Sequence, residues 1–130
     1  MKAYWDSSVI VKATMDLSLR RRLHDEHGFS RPHALAECFS ALTAGGLAVR
    51  LDADAAARAV NNLAGDLEFV SLTVSEILST LKEAKRRGVR GGRIHDFMHA
   101  VAAGKSGADE LLTLDQNDFA GLTTLTVSQV

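Results

Sequence analysis

The chain has 130 residues, 46% of them hydrophobic and 24% charged, with a formal net charge of -1. That length and balance suit one globular domain and exclude a disordered chain. The near-neutral charge excludes a whole-surface basic field for nucleic acid, so any basic footprint must be local. A single cysteine, Cys38, excludes an internal disulfide and a cysteine-built zinc cluster. No run of about 18 apolar residues is present, so no membrane span is expected. Lys2 leads straight into a patterned strand and helix with no signal-peptide pattern, and the expected location is cytoplasmic.

Lys2 to Trp5 reads as a first strand, and Ser7 to Met15 carries Val9, Ile10 and Ala13 at helical spacing. Leu17 to His24 predicts a second short helix containing Arg20, Arg21 and Arg22. Phe29 marks a short strand before Pro32, which suits the first turn of a helix running to about Ala44, with Gly45 and Gly46 as its stop. Asp52 can cap a further helix, whose Ala56, Ala59, Val60 and Leu63 share a face. Leu67 to Leu72 reads as a buried strand. Thr73-Val74-Ser75-Glu76 is a capping box, with Leu72 and Ile77 as its hydrophobic staple. The helix it opens is predicted to end near Gly88, with Lys82, Lys85 and Arg86 on its basic face. Gly91-Gly92 breaks the chain, and Arg93 to Ala103 is helical by pattern. Glu110 to Leu114 predicts a strand that ends at Asp115, and Leu122 to Val127 predicts the last strand. Strands separated by helices predict an α/β fold on a mostly parallel sheet.

Ligands of open parallel sheets bind outside the carboxyl ends of the strands, where Asp6 and Asp115 are expected. Glu37 falls in mid-helix on a face shared with Ala34, Cys38 and Ala41, so it should point at the domain body. Asp96 lies in a first helical turn, where the helix dipole stabilises a carboxylate, and shares its face with His99, Ala100 and Ala103. Each acid also has a plain reading. Asp6 can be a helix cap, Glu37 an exposed or salt-bridged residue, Asp96 a partner of the dipole, and Asp115 a turn residue. If the four converge, their repulsion calls for protonation or for a cation. Hard divalent cations prefer such oxygens, and with Mg2+ or Mn2+ the cluster suits phosphoryl transfer.

Four stretches bear on that choice: YWDSSVIVKA, ALAECFSAL, GVRGGRIHDFMHAVAA and LLTLDQNDFAGL. In this order and near these spacings, over essentially the whole chain, they resemble the PIN-domain family, in particular the toxin nucleases of VapC type. The resemblance implies a three-layer α/β/α sandwich and a Mg2+- or Mn2+-dependent endoribonuclease, the toxin of a toxin-antitoxin pair. It implies Asp6, Glu37 and Asp96 as direct metal ligands. Asp115 is the fourth acid, with Asp118 one short turn away as its competitor. Ser7 and Thr113 match hydroxyl positions beside the acids, and Ser7 would orient Asp6 or bind a metal water. RNA is the implied substrate, with a cognate antitoxin whose tail occupies the catalytic groove, and a homodimer as the common assembly.

Around these acids, Arg90 and Arg93 flank the turn leading to Asp96 and, with Lys85, Arg86 and Arg87, can hold RNA phosphates. His99 stands one turn from Asp96, where packing or a bond to a metal ligand competes with a general-acid role. Among rivals, an aspartyl-nucleophile phosphatase needs a second acid two residues after the first, and Ser8 stands there. A phosphoacceptor domain wants an acidic pair before the first helix and a lysine after a late strand, and neither is clear. A non-catalytic RNA-binding or interaction module keeping the same fold is the third alternative.

Overall fold

The computed structural model describes residues 2–46 and 50–130. The elements run β1 (Ala3–Trp5), α1 (Ser7–Ala13), α2 (Leu17–Glu26), β2 (Gly28–Ser30), α3 (His33–Thr43), α4 (Ala53–Ala64), β3 (Leu67–Phe69), α5 (Val74–Glu83), α6 (Arg93–Ser106), β4 (Glu110–Thr113) and β5 (Thr126–Gln129). A 3-10 turn, Gln116–Phe119, sits between β4 and β5. The five strands form one parallel sheet in the order β3-β2-β1-β4-β5.

Side chains alternate across the sheet, and the core divides accordingly. Ala3, Trp5, Leu67 and Leu112 face one layer, packed with residues of α1, α2, α3 and α4. Tyr4 and Leu111 face the other, packed with Phe97, Ala100 and Ala103 of α6 and with Ala84 just beyond α5. The result is a three-layer α/β/α sandwich. The topology explains the division. From β1 the chain steps to β2 and β3 in one direction, then returns past β1 to β4 in the other. Crossovers of one hand running in opposite directions leave their helices on opposite faces.

Local chemistry starts most of the helices. Asp6, Asp16 and Asp52 cap α1, α2 and α4 by accepting from the backbone N–H three residues on. The capping box of α5 is complete, with Thr73 Oγ1 accepting from Glu76 N and Glu76 Oε1 from Thr73 N. Pro32 stands at the cap of α3, one residue outside the predicted start.

Four predicted elements have a boundary that moves by three residues or more. The strand expected over Leu67 to Leu72 stops at Phe69. It is an edge strand paired only to the three-residue β2, and its exposed Glu68 pairs with Lys2 at 3.0 Å, a charge that guards the edge. The helix α5 ends at Glu83 rather than near Gly88, and turns cover the interval. Helix α6 runs one turn past Ala103, because the left-handed Gly107, not Gly104, ends it. The strand expected over Leu122 to Val127 begins only at Thr126. Leu122 is buried as a loop residue, its N–H donating to the Phe119 carbonyl after the positive-φ Gly121. A short apolar run carries no mark separating a strand from a packed loop.

No helix among the described residues is long and apolar enough to cross a membrane.

One tight contact gives a stability test. A Cβ on Gly28 would stand 2.6 Å from both Cδ1 and Nε1 of the buried Trp5 ring, so Gly28→Ala overpacks the join between β1 and β2. The expected loss is about 1–3 kcal/mol in chemical denaturation. A stability within about 0.5 kcal/mol of wild type would remove this contact from the account.

Candidate active site at the carboxyl edge of the sheet

Asp6 follows β1 directly. Its N–H donates to the Leu112 carbonyl at 3.2 Å, which extends the β1–β4 pairing by one bond and fixes the carboxylate at the sheet rim. Its Oδ1 accepts from Val9 N at 3.1 Å and from the Ser8 hydroxyl at 2.5 Å. Its other oxygen, Oδ2, takes no hydrogen bond among the described residues, so capping leaves half of the carboxylate available. Ser8, not Ser7, orients Asp6. The Ser8 hydroxyl also accepts from Leu114 N at 3.2 Å and so ties the acid to the loop after β4. Ser7 contributes its carbonyl to a contact with the Cys38 thiol at 3.6 Å. Burial, followed by the charges of Glu37 and Asp6, pushes that thiol up to about 12, which leaves it un-ionised and unreactive.

Glu37 comes from the middle of α3, half-buried as its helical face requires. His99 on α6 donates from Nε2 to Glu37 Oε1 at 2.8 Å, and its Nδ1 lies 2.7 Å from the Tyr4 hydroxyl. Burial raises the Glu37 pKa, but the His99 bond and the charges of His99, His33 and Arg31 outweigh it and hold the carboxyl below its ordinary value. An ionised carboxylate only accepts, so Nε2 must carry a proton. Nδ1 completes the chain with the Tyr4 hydroxyl, which can donate to a neutral ring or accept from an imidazolium. His99 therefore fixes Glu37 through a directed chain that starts on the central strand. The packing and ligand-bonding role weighed for His99 against general acid is the one its geometry serves.

Asp96, in the first turn of α6, is pushed from an ordinary 3.8 to about 6 by burial, then by the charge of Asp118 and more weakly of Asp6, against the opposing effect of His99 and Arg93. Asp118 is raised by burial and by Asp115 and Asp6. Three acids from three elements thus act on one another: Asp6 after β1, Asp96 on α6 and Asp118 in the 3-10 turn. Asp115 acts on Asp118, while its own Oδ1 caps the 3-10 turn through Asn117 N at 3.0 Å. Of the two candidates for the fourth acid, Asp118 is the one whose charge acts on Asp96, while Asp115 caps the 3-10 turn that carries Asp118. Thr113 is buried and its hydroxyl accepts from Asp115 N at 3.2 Å, so it shapes this loop rather than reaching the acids.

As the side chains stand, no group of three His, Cys, Asp or Glu residues among the described residues lies within reach of a single ion. Three of the acids are turned to protein partners: Asp6 to Ser8, Glu37 to His99, Asp115 to its cap. The donors at this edge are all carboxylate oxygens, the set that suits a hard divalent cation, and the raised Asp96 marks an excess of negative charge that a cation would relieve.

The basic residues divide. Arg93 donates to the Ala120 carbonyl at 2.7 Å, and its charge acts on Asp96 and Asp118, so it braces the acid loop. Arg87 does likewise at Gly121, 3.0 Å. Arg86 pairs with Glu83 at 3.4 Å, and Lys85 and Arg90 are exposed. Tyr4 and Arg31 escaped the sequence reading. A tyrosine in a buried strand reads as core, and nothing in its spacing marks a bond to a helix 95 residues away.

Two measurements check this electrostatic account. Asp96 has a folded pKa above its unfolded value, so the folded state holds the extra proton between about pH 4 and pH 6, and stability falls as pH rises through that window. Asp96→Asn should therefore melt higher than wild type at pH 7 in metal-free buffer, by on the order of 1 kcal/mol after solvent screening. The gain should vanish near pH 4, and a pH-independent difference would refute the assignment. Tyr4→Phe should cost about 1–2 kcal/mol by leaving the buried His99 Nδ1 without its hydrogen-bond partner. A neutral Tyr4→Phe would show that His99 is held by other means.

No family model matches this chain, and no curated protein matches it. Among solved structures, it is similar to PAE2754 from Pyrobaculum aerophilum, with a TM-score of 0.73 over 98% of this chain and 89% of that one. The identity is 17%, so the likeness is one of fold.

Proposed function

We propose that this protein is a Mg2+- or Mn2+-dependent endoribonuclease of PIN-domain type, the toxin of a toxin-antitoxin pair. One observation carries the reading: Asp6, Asp96 and Asp118, from three elements, crowd their charges at the carboxyl edge beside the central strand, with Glu37 held nearby by His99. A structural cluster has no use for such repulsion, whereas a site for hard cations depends on it. When bound, a divalent ion would supply charge neutralisation at the phosphate and a more acidic water for attack at phosphorus.

The chain's own residues supply the rest. Asp6 offers Oδ2, with its other oxygen locked by Ser8 and Val9. Glu37 is kept ionised and oriented by His99. Asp96 and Asp118 would supply the remaining carboxylates, and Arg93 ties down the loop that carries Asp118 through the Ala120 carbonyl. The exposed Lys85 and Arg90 lie where they can meet backbone phosphates. The products would be a 5′-phosphate and a 3′-hydroxyl. A cognate antitoxin covering this edge and a homodimeric assembly complete the proposal.

The test is cleavage of total RNA with Mg2+ or Mn2+, beside Asp6→Asn. The variant should be slower by about a hundredfold or more, and Ser8→Ala by about tenfold. Equal cutting by wild type and Asp6→Asn, or no cutting with any divalent ion, would overturn the reading. Induced expression should arrest host growth with wild type and not with Asp6→Asn, and arrest by both would point to a non-catalytic cause.

A further inference from the structure

Beside the acid edge lies a second feature of different chemistry. A cavity of about 410 Å³ opens between α5, α6 and the start of α3. Ile77, Leu81 and Met98 form an apolar wall, while Arg31, His33 and His95 line its polar side. Arg31 Nε is buried and has no hydrogen-bond partner among the described residues. A guanidinium N–H without an acceptor costs free energy, so the Arg31 side chain is not consumed by a protein partner at Nε and its planar group borders the cavity. His33 and His95 stack, with ring centroids 5.6 Å apart and planes 18° from parallel, and both are exposed. The cluster adjoins the acids. The charges of Arg31 and His33 act on Glu37, and His95 directly precedes Asp96.

We propose that Arg31, with the His33–His95 pair, is a subsite for one nucleotide of an RNA strand flanking the cleaved bond. It takes the phosphate on Arg31 and the base on the imidazole pair and the apolar wall. This rests on the ribonuclease reading. Three features fit a nucleotide. Arg31 supplies a planar donor set suited to phosphate oxygens. The stacked imidazoles continue as a platform for a base, as aromatic side chains do in single-strand recognition. The apolar wall beside them, in a cavity of about 410 Å³, offers surface that a base can cover and a bare anion cannot. The position fits as well, since a strand whose phosphate lies at Asp6 and Asp96 must pass the neighbouring Glu37 edge, where Arg31 and His33 stand. The subsite contacts the strand rather than the reacting atoms, so it sets affinity and register.

The experiment measures binding of a fluorescent single-stranded RNA pool of random sequence, in chelator so that nothing is cut, together with cleavage kinetics in Mn2+. Arg31→Gln should weaken binding about tenfold and lower the log–log salt slope by about 0.7, the share of one single-strand phosphate. It should raise KM with kcat nearly unchanged. The double variant His33→Ala/His95→Ala, confined to exposed side chains, should weaken binding about threefold with an unchanged salt slope, since stacking rather than charge is removed. Arg58→Gln, on α4 in the opposite layer, is the charge-matched control and should match wild type. Circular dichroism and melting temperature check that each variant folds, and if Arg31→Gln does not, Arg31→Lys and the double histidine variant carry the test. Equal affinity and salt slope in the subsite variants and Arg58→Gln, with wild-type cleavage intact, would overturn the subsite alone. Absence of both cleavage and RNA binding in wild type would remove the ribonuclease reading and the subsite with it. If poly-glutamate displaces RNA at equal charge concentration, and Arg31→Gln abolishes that competition, the cavity serves an acidic protein segment and the proposal falls.

Discussion

His99 hydrogen-bonds in two directions, to the Tyr4 hydroxyl at 2.7 Å and to the Glu37 carboxylate at 2.8 Å. Through that one ring the central strand, helix α6 and helix α3 are joined, although α3 and α6 belong to opposite layers of the sandwich. The ring is buried, so neither bond competes with water, and each would leave an expensive orphan if broken. The chain has a polarity as well. Because Glu37 is held ionised, the proton on Nε2 follows, and burial raises the Tyr4 hydroxyl far above its ordinary range, which keeps its own proton in place. Glu37 is thereby presented at the sheet rim in one orientation, with its second oxygen left over.

The opposite condition holds a few residues away. Asp96 and Asp118 sit in each other's field and in that of Asp6, and Asp96 is raised to about 6. The dipole at the start of α6 works in the acids' favour but is worth only about 0.3–1 kcal/mol, too little to cancel burial and two like charges. Glu37 is thus satisfied within the protein, whereas Asp96 and Asp118 are not. The difference traces to partners. Glu37 has a histidine within hydrogen-bond distance, whereas the Asp96 carboxylate has no such partner among the described residues, and Arg93 turns an N–H to the Ala120 carbonyl. A fold that braces one carboxylate and leaves others frustrated beside it stores stability loss at one point, as functional sites do.

The sequence carried the fold well where backbone groups are satisfied locally. The capping box at Thr73 and the caps at Asp6 and Asp52 mark helix starts because each is a contact within four residues. The parallel sheet followed from strands alternating with helices. Strand ends were less legible, since β3 and β5 depend on partners far along the chain. The site divided in the same way. Asp6, Glu37 and Asp96 were placed by their elements. Which of Asp115 and Asp118 acts on Asp96, and which serine bonds Asp6, turns on the loop after β4. Ser8 reaches Leu114 across 106 residues, which no local spacing encodes. Tyr4 was invisible for the same reason.

Why the acids gather beside β1 rather than elsewhere on the rim follows from the strand order. With β3-β2-β1-β4-β5, the chain leaves β1 toward β2, while β4 enters on the other side. Loops after β1 and β4 therefore diverge to opposite faces and open a crevice between them, the switch point where ligands of such sheets sit. Asp6 follows β1 at that crevice, bonded through its N–H to β4, and the loop after β4 carries Asp118. After β2 and β1, by contrast, the connections run to the same face. The crossover α5–α6 passes over the crevice and brings Asp96 with it. Helix α3 adds Glu37 from the far layer, which it can do only where the loops have parted. Placement of the carboxylates is then a consequence of topology, and the Tyr4–His99–Glu37 chain holds the two layers together at the point where the topology leaves them open.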